Sequence, residues 1–395
     1  MINTGRRPPR GTVRASKAGM ASQPPASSSA SPRPPGFQDG CLRVWNGSWV
    51  HVSSTPPPYR RQVALATRNN PQSQHILDSP MCRRSRSWKW QWVSRDARCS
   101  VPPASRESVC SRLAGKRILL YGDSLTQQFF VSIASLAGED ATSEASRPDG
   151  CERLRHLECL RVCGGLVCQR THFGLALDAV PVGVPHNCSS SIRPSVVAPI
   201  EERYPASCLG AFDLVVINQA AHWVGNDGAL GLQQCLVERG SMGQFDAASF
   251  AIDWITRLYT QQMQRDASHL QSITQARGSS GSPRIFYRTS APASPTQDIL
   301  PPDTPNGEPP IYTRPSRSDA WLQHLGEHGS PTRFNHHLLP KYNAIARSTF
   351  LAAGHGIMDV ELPMSFRVDG HLDALHYCLP GPVDFYSSLL PLLLA

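Results

Sequence analysis

The chain has 395 residues, of which 40% are hydrophobic and 17% charged, and its formal net charge is +9. That length fits one large domain or two ordinary ones. Residues 1–40 carry six basic residues against one acid, Asp39, so they hold +5 of the +9. The remainder keeps no basic stripe with interleaved aromatics, which removes the case for a nucleic-acid partner, and no run of eighteen apolar residues marks a membrane span.

Residues 1–40 are rich in Pro, Ser, Ala and Arg, with no aromatic before Phe37, and are expected to form a basic tail outside any core. Residues 41–112 contain Cys41, Cys82, Cys99 and Cys110 together with Trp45, Trp49, Trp88, Trp90 and Trp92, and show little helical periodicity. They read as a small subdomain wrapped onto a catalytic domain of residues 113–395. Alternation at Trp88, Trp90 and Trp92 predicts one strand presenting three indoles on one face, packing the core or, as the lesser alternative, stacking on sugars. Arg83, Arg84 and Arg86 read as a solvated face or a contact for acidic sugars. The subdomain's cysteines are free to pair with one another or with Cys378, and spacing does not choose.

Arg117–Tyr121 is a short apolar run between a basic pair and a Gly-Asp-Ser turn, which suits a buried strand. Leu125, Phe129 and Leu136 then recur near helical spacing. Ser124 is thereby predicted at a strand-to-helix junction, where unpaired backbone N–H groups and the positive end of the helix dipole can stabilise an oxyanion. The plainer alternative is that Asp123 and Ser124 only cap the helix.

Cys151, Cys159, Cys163 and Cys168 follow. Cys159-x3-Cys163-x4-Cys168 lacks a matching Cys/His pair at zinc spacing, so disulfides are expected and no metal is assigned. Residues 166–173 alternate as a second strand, with Gly164 and Gly165 offered as a close backbone approach near an oxyanion hole. Residues 213–218 form a continuous apolar run of the parallel-sheet kind that delivers Asn218 to the C-terminal edge, where its amide could donate to an oxyanion. His222 and Trp223 are expected at the mouth of the site, with a hydrogen-bonded structural role as the equal alternative for His222.

Residues 245–276 carry Ile252, Ile255, Tyr259 and Met263 on one helical stripe. A fourth strand is predicted at 284–289, then a Pro- and Gly-rich loop at 290–333 read as a lid or as disorder. A helix at 340–354, a fifth strand at 357–360 and a closing helix at 382–394 complete the pattern. In between, Asp373 precedes His376 by three residues, so its carboxylate can fold back and fix the imidazole tautomer. The alternatives are a solvated turn, or His371 as the base. The fold class is therefore α/β: three layers around a parallel sheet of about five strands.

YGDSL and DALHYCLPGPVD, with Asn46-Gly47-Ser48-Trp49, Trp88-Lys89-Trp90-Gln91-Trp92 and DLVVINQAAHW, closely resemble the trichome birefringence-like proteins over residues 41–392. These form a branch of the SGNH/GDSL superfamily. Tyr377 stands where the family has Trp, and Ala220 where the superfamily has Gly. The resemblance implies Ser124, His376 and Asp373 as a catalytic triad, with Gly122, Asp123, Asn218 and His222 in oxyanion and substrate binding.

It further implies a polysaccharide O-acetyltransferase that uses acetyl-CoA or another acyl donor as co-substrate, with no bound cofactor. A carbohydrate acetyl-esterase with the same triad and a catalytically idle polysaccharide-binding protein are the alternatives. The family works in the Golgi lumen behind an N-terminal membrane helix. The start of this chain therefore reads as truncated or mis-started, with an Arg- and Ser-rich, acid-poor organellar transit peptide as the lesser alternative, and membrane association is expected only if an anchor precedes it. The twelve cysteines and the sequons at Asn46 and Asn187 fit the secretory route. A monomer is expected.

Overall fold

The computed structural model describes residues 41, 47–52, 54, 57–59, 82, 87–144, 146–152, 154, 156–171, 188, 199–224, 227–240, 242–278, 281–292, 336–367, 370–372 and 375–395. The tail of residues 1–40, the arginines at 83, 84 and 86, the sequon asparagines, Asp373 and nearly all of the 290–333 loop lie outside this set.

Two sheets are present among the described residues. The smaller pairs β1 (Gly47–His51) with β2 (Trp90–Ser94) antiparallel, placing Trp49 opposite Trp92. The larger contains β3 (Arg117–Gly122), β4 (Ala141–Glu144), β5 (Leu157–Val162), β6 (Gly165–Thr171), β7 (Leu214–Asn218), β8 (Arg284–Arg288) and β9 (Gly356–Met358). Its spatial order is β4-β5-β6-β3-β7-β8-β9.

The five strands from β6 to β9 run parallel, while β5 and β4 add antiparallel at the edge. The sheet thus has seven strands, not about five. The five expected strands are its parallel part. β5 has no strand signature in the sequence because Glu158 and Arg161 interrupt its apolar residues, and β4, Ala-Thr-Ser-Glu, is a short polar edge strand of the kind that resists further pairing.

Parallel strands need long crossovers, and these deposit helices on both faces. After β3 comes α1's neighbour in space: α1 (Arg106–Cys110) packs against α2 (Ser124–Ala137), and α2 lies on β3 and β6. Two short elements, α3 (Ile200–Arg203) and α4 (Ala206–Leu209), precede β7. Then follow α5 (Ala221–Val224), α6 (Asp227–Glu238) and the long α7 (Gln244–Arg277), with α8 (Leu339–Ala352) before β9. Tyr259, Met263 and Leu270 of α7 and Tyr342 and Phe350 of α8 share one core with Leu119, Tyr121, Val215, Ile217 and Ile285 of the strands. Ile118, Leu120 and Val216 are equally buried but alternate to the α2 face. Both faces are covered, which is why β3 and β7 read as continuous apolar runs.

The closing segment is not one helix over 382–394. It breaks into α10 (Asp384–Ser388) and α11 (Leu390–Leu394), which follow α9 (Glu361–Ser365). Pro391 has no N–H to continue the helical ladder, so the chain turns at Leu389.

The three-indole strand is corrected too. Trp88 belongs to a 3₁₀ turn, Ser87–Lys89, and only Trp90 and Trp92 lie in β2, both buried. Trp49 donates its indole N–H to the Pro363 carbonyl at 2.7 Å, stands edge-on to Phe385 at 5.4 Å, and lies beneath the Arg367 guanidinium at 4.4 Å. The N-terminal strands therefore dock on the segment that follows β9.

All twelve cysteines are paired: Cys41–Cys99, Cys82–Cys378, Cys110–Cys163, Cys151–Cys208, Cys159–Cys168 and Cys188–Cys235. Both kinds of pairing left open for the N-terminal cysteines occur. Cys110, Asp140 and Cys163 come together, but their two sulfurs are bonded to each other and leave no thiolate for an ion. Complete disulfide pairing is compatible with a secreted or lumenal protein. No helix among the described residues is long and apolar enough to cross a membrane.

Candidate active site

With β3 as first strand and β6, β7, β8 and β9 following, the parallel strands stand in the order 2-1-3-4-5. In such sheets the chain leaves β3 toward one edge and β7 toward the other, which opens a crevice between their C-terminal ends. Gly122 ends β3 and Asn218 ends β7, and the two are register partners. Only a residue without a side chain fits at 122. A Cβ there would strike the Asn218 carbonyl oxygen and the Thr126 hydroxyl.

The next residue, Asp123, is the N-cap of α2. Its buried carboxylate accepts from the Leu125 N–H at 3.0 Å, and its other oxygen has no hydrogen-bond partner among the described residues. Ser124 is the first residue of the helix. Its own backbone N–H has no acceptor among the described residues. The expected cap is present: Asp123 caps the helix, and Ser124 stands beside it at the helix N-terminus.

Nε2 of His376 lies 2.6 Å from Oγ of Ser124, across 252 residues of chain. In the tautomer protonated at Nδ1, Ser124 donates its hydroxyl proton to Nε2, the alignment a general base needs. The third member of the expected triad, Asp373, lies outside the described residues. His371 does not meet Ser124 in any described contact. Its ring packs on Tyr377 at 4.0 Å, and its backbone bridges the same residue.

His222, in α5, lies near Asp123 and His376. Burial pushes its imidazole below the ordinary value and His376 adds to the lowering, while the Asp123 carboxylate pulls the other way. Asn218 is fully buried, and its amide donates to the Arg288 carbonyl and the Ser290 hydroxyl, both at 2.9 Å. Both amide protons are thus engaged within the protein, and oxyanion donation would require one of those bonds to be given up.

Gly164 and Gly165 are not near the site. Cys163 and Gly164 have positive φ, 51° and 76°, and make the two-residue turn between β5 and β6. Gly165 pairs with Val162 at the start of β6, beside the beginning of β3, whose length of about 16 Å separates it from Gly122.

Several residues around the site carry no motif in the sequence. Gln128, one turn beyond Ser124, is buried and bonds both backbone groups of Tyr377: its Nε2 donates to the carbonyl at 2.6 Å and its Oε1 accepts from the N–H at 3.2 Å. Arg288, also fully buried, donates to Thr126 Oγ1 at 3.1 Å and lies over the Tyr386 ring at 4.9 Å. The available signal was a glutamine on the buried face of an apolar helix and an arginine closing an apolar strand, both anomalous on burial grounds.

No protein-family model matches the chain, and no curated protein matches it.

Proposed function

We propose that this protein is an acyl-transfer enzyme working through an acyl-serine, and specifically an O-acetyltransferase acting on polysaccharide hydroxyls. The contact between Ser124 Oγ and His376 Nε2 carries the reading. A serine at a helix N-terminus touching an imidazole, at the C-terminal edge of a parallel sheet, has the parts of a nucleophilic site.

His376 takes the Ser124 proton as Oγ attacks the acyl carbonyl. The tetrahedral oxyanion faces the Ser124 N–H and the helix N-terminus. Collapse expels the donor's leaving group, which receives the proton from His376, and acetyl-Ser124 remains. An acceptor hydroxyl then gives its proton to His376 and attacks the acyl carbon, and Ser124 leaves with that proton. Asp373 is the carboxylate that the resembled motif assigns to steady the imidazole.

The choice of a sugar hydroxyl over water as acceptor, and of a lumenal Golgi setting, rests on the likeness of the two boxes to the trichome birefringence-like proteins. The full complement of disulfides agrees with a lumenal setting.

A time course with purified protein, an acetyl donor and oligosaccharide acceptors tests the proposal. Acetylated oligosaccharide should accumulate. Net deacetylation without transfer makes the protein an esterase, and turnover unchanged in Ser124→Ala overturns the acyl-serine altogether.

A further inference from the structure

The distance between Ser124 and His376 is a long-range property, and a bond network is needed to hold it. His376 sits in a loop whose internal bonds run from Leu372 N–H to the His376 carbonyl at 2.8 Å and from Cys378 N–H to the Gly370 carbonyl at 2.6 Å. The Cys82–Cys378 disulfide ties the same loop to the N-terminal segment. None of these three bonds reaches α2, the helix that carries the nucleophile. Gln128 does.

Ser124 and Gln128 are four residues apart in α2 and so lie on one helix face, about 6 Å apart. Gln128 is 2% exposed, and both ends of its amide are committed to the peptide groups flanking Tyr377, the residue next to His376. Two bonds at one residue fix rotation as well as position. A closed circuit results: Ser124, one helical turn, Gln128, Tyr377, His376 and back to Ser124.

We propose that Gln128 is a positioning residue, which sets the Ser124–His376 distance by clamping the backbone beside the base to the helix beside the nucleophile. This rests on the acyl-serine reading above. Gln128 touches no reacting atom. Its loss should act on the rate of acylation and leave donor binding alone, because a displacement of about 1 Å at the reacting atoms costs on the order of 100-fold.

The test compares wild type, Gln128→Met and Gln128→Glu in the rate at which a fluorophosphonate probe labels Ser124, with kcat and KM for an acetyl donor measured alongside. Gln128→Met keeps the volume and removes both bonds. Labelling and kcat should fall on the order of 100-fold with KM unchanged.

Gln128→Glu separates positioning from simple support of the fold. As a carboxylate it faces the Tyr377 carbonyl with no donor. As a carboxylic acid it regains one donor and one acceptor, the pattern of the glutamine. Its labelling rate relative to wild type should therefore climb as the pH falls from about 8 to about 5.5, while the ratio for Gln128→Met stays flat. Gln128→Met adds no charge, so its ratio is the control for the titratable groups that the proteins share around α2, among them Asp123, His222 and Asp384.

Labelling of Gln128→Met at the wild-type rate, or a ratio for Gln128→Glu that stays flat at a rate well below wild type, overturns the clamp and leaves the acyl-serine standing. Wild-type protein that never labels overturns both. Should Gln128→Met fail to fold, the pH ratio of Gln128→Glu decides alone.

Discussion

Gly122 and Asn218 face each other across β3 and β7, so close that a methyl group on residue 122 would overlap the Asn218 carbonyl oxygen. Neither the backbone of a central strand nor the buried Asn218 can retreat cheaply. Gly122→Ala should cost about 1–3 kcal/mol in stability, as overpacking of a filled core does. It should also reduce probe labelling of Ser124 by shifting the start of α2. Urea denaturation and the labelling rate check it together, and an unchanged midpoint would refute the close approach.

Removal of the nucleophile or the base should have effects that do not add. Ser124→Ala and His376→Ala should each lower kcat by about 10⁴-fold or more, with the double variant close to either single one, because the two groups act as a unit. Steady-state transfer assays on the three variants give the answer. Multiplying losses would mean that Ser124 and His376 act independently.

Asp384, in α10, accepts from Ser132 Oγ at 2.6 Å and from the Gly381 N–H at 2.8 Å, joining the segment after His376 to α2. Burial pushes its carboxyl up to about 6, against the pull of these bonds, from the usual 3.8. A raised acid is penalised in its charged, folded form. Its contribution therefore grows as the pH falls through about 6 and is complete below about 3.8, worth about 3 kcal/mol at most. Asp384→Asn lacks this term. The stability of wild type minus that of the variant should rise between pH 7 and about pH 4, read from urea curves at each pH. A constant difference would show that Asp384 is not desolvated.

Cys378 lies two residues past His376 and is bonded to Cys82, closing a loop whose ends are 296 residues apart. Replacing both cysteines by serine should cost about 2–5 kcal/mol. The Gln128 clamp remains in this variant, so kcat at a temperature well below the melting midpoint should stay within a few-fold of wild type. Calorimetry and transfer assays measure the two effects, and a kcat loss as large as that of Gln128→Met would move the positioning role from Gln128 to the disulfide.

The sequence by itself marked the five strands that run parallel: β3 and β7 as continuous apolar runs, since a strand covered on both faces is apolar throughout, as in Ile118–Tyr121 and Leu214–Ile217, and β6 by alternation. It also located Ser124 at a strand-to-helix junction and assigned the cysteines to disulfides. Each of these is a local or compositional property. Tertiary structure alone decided that β4 and β5 extend the sheet, that Asn218 spends its amide on Arg288 and Ser290, which cysteine meets which, and that Gln128 grips Tyr377. Those outcomes depend on the order of strands in the sheet, which brings together groups far apart in the chain, and periodicity along one segment carries no record of its neighbours in space.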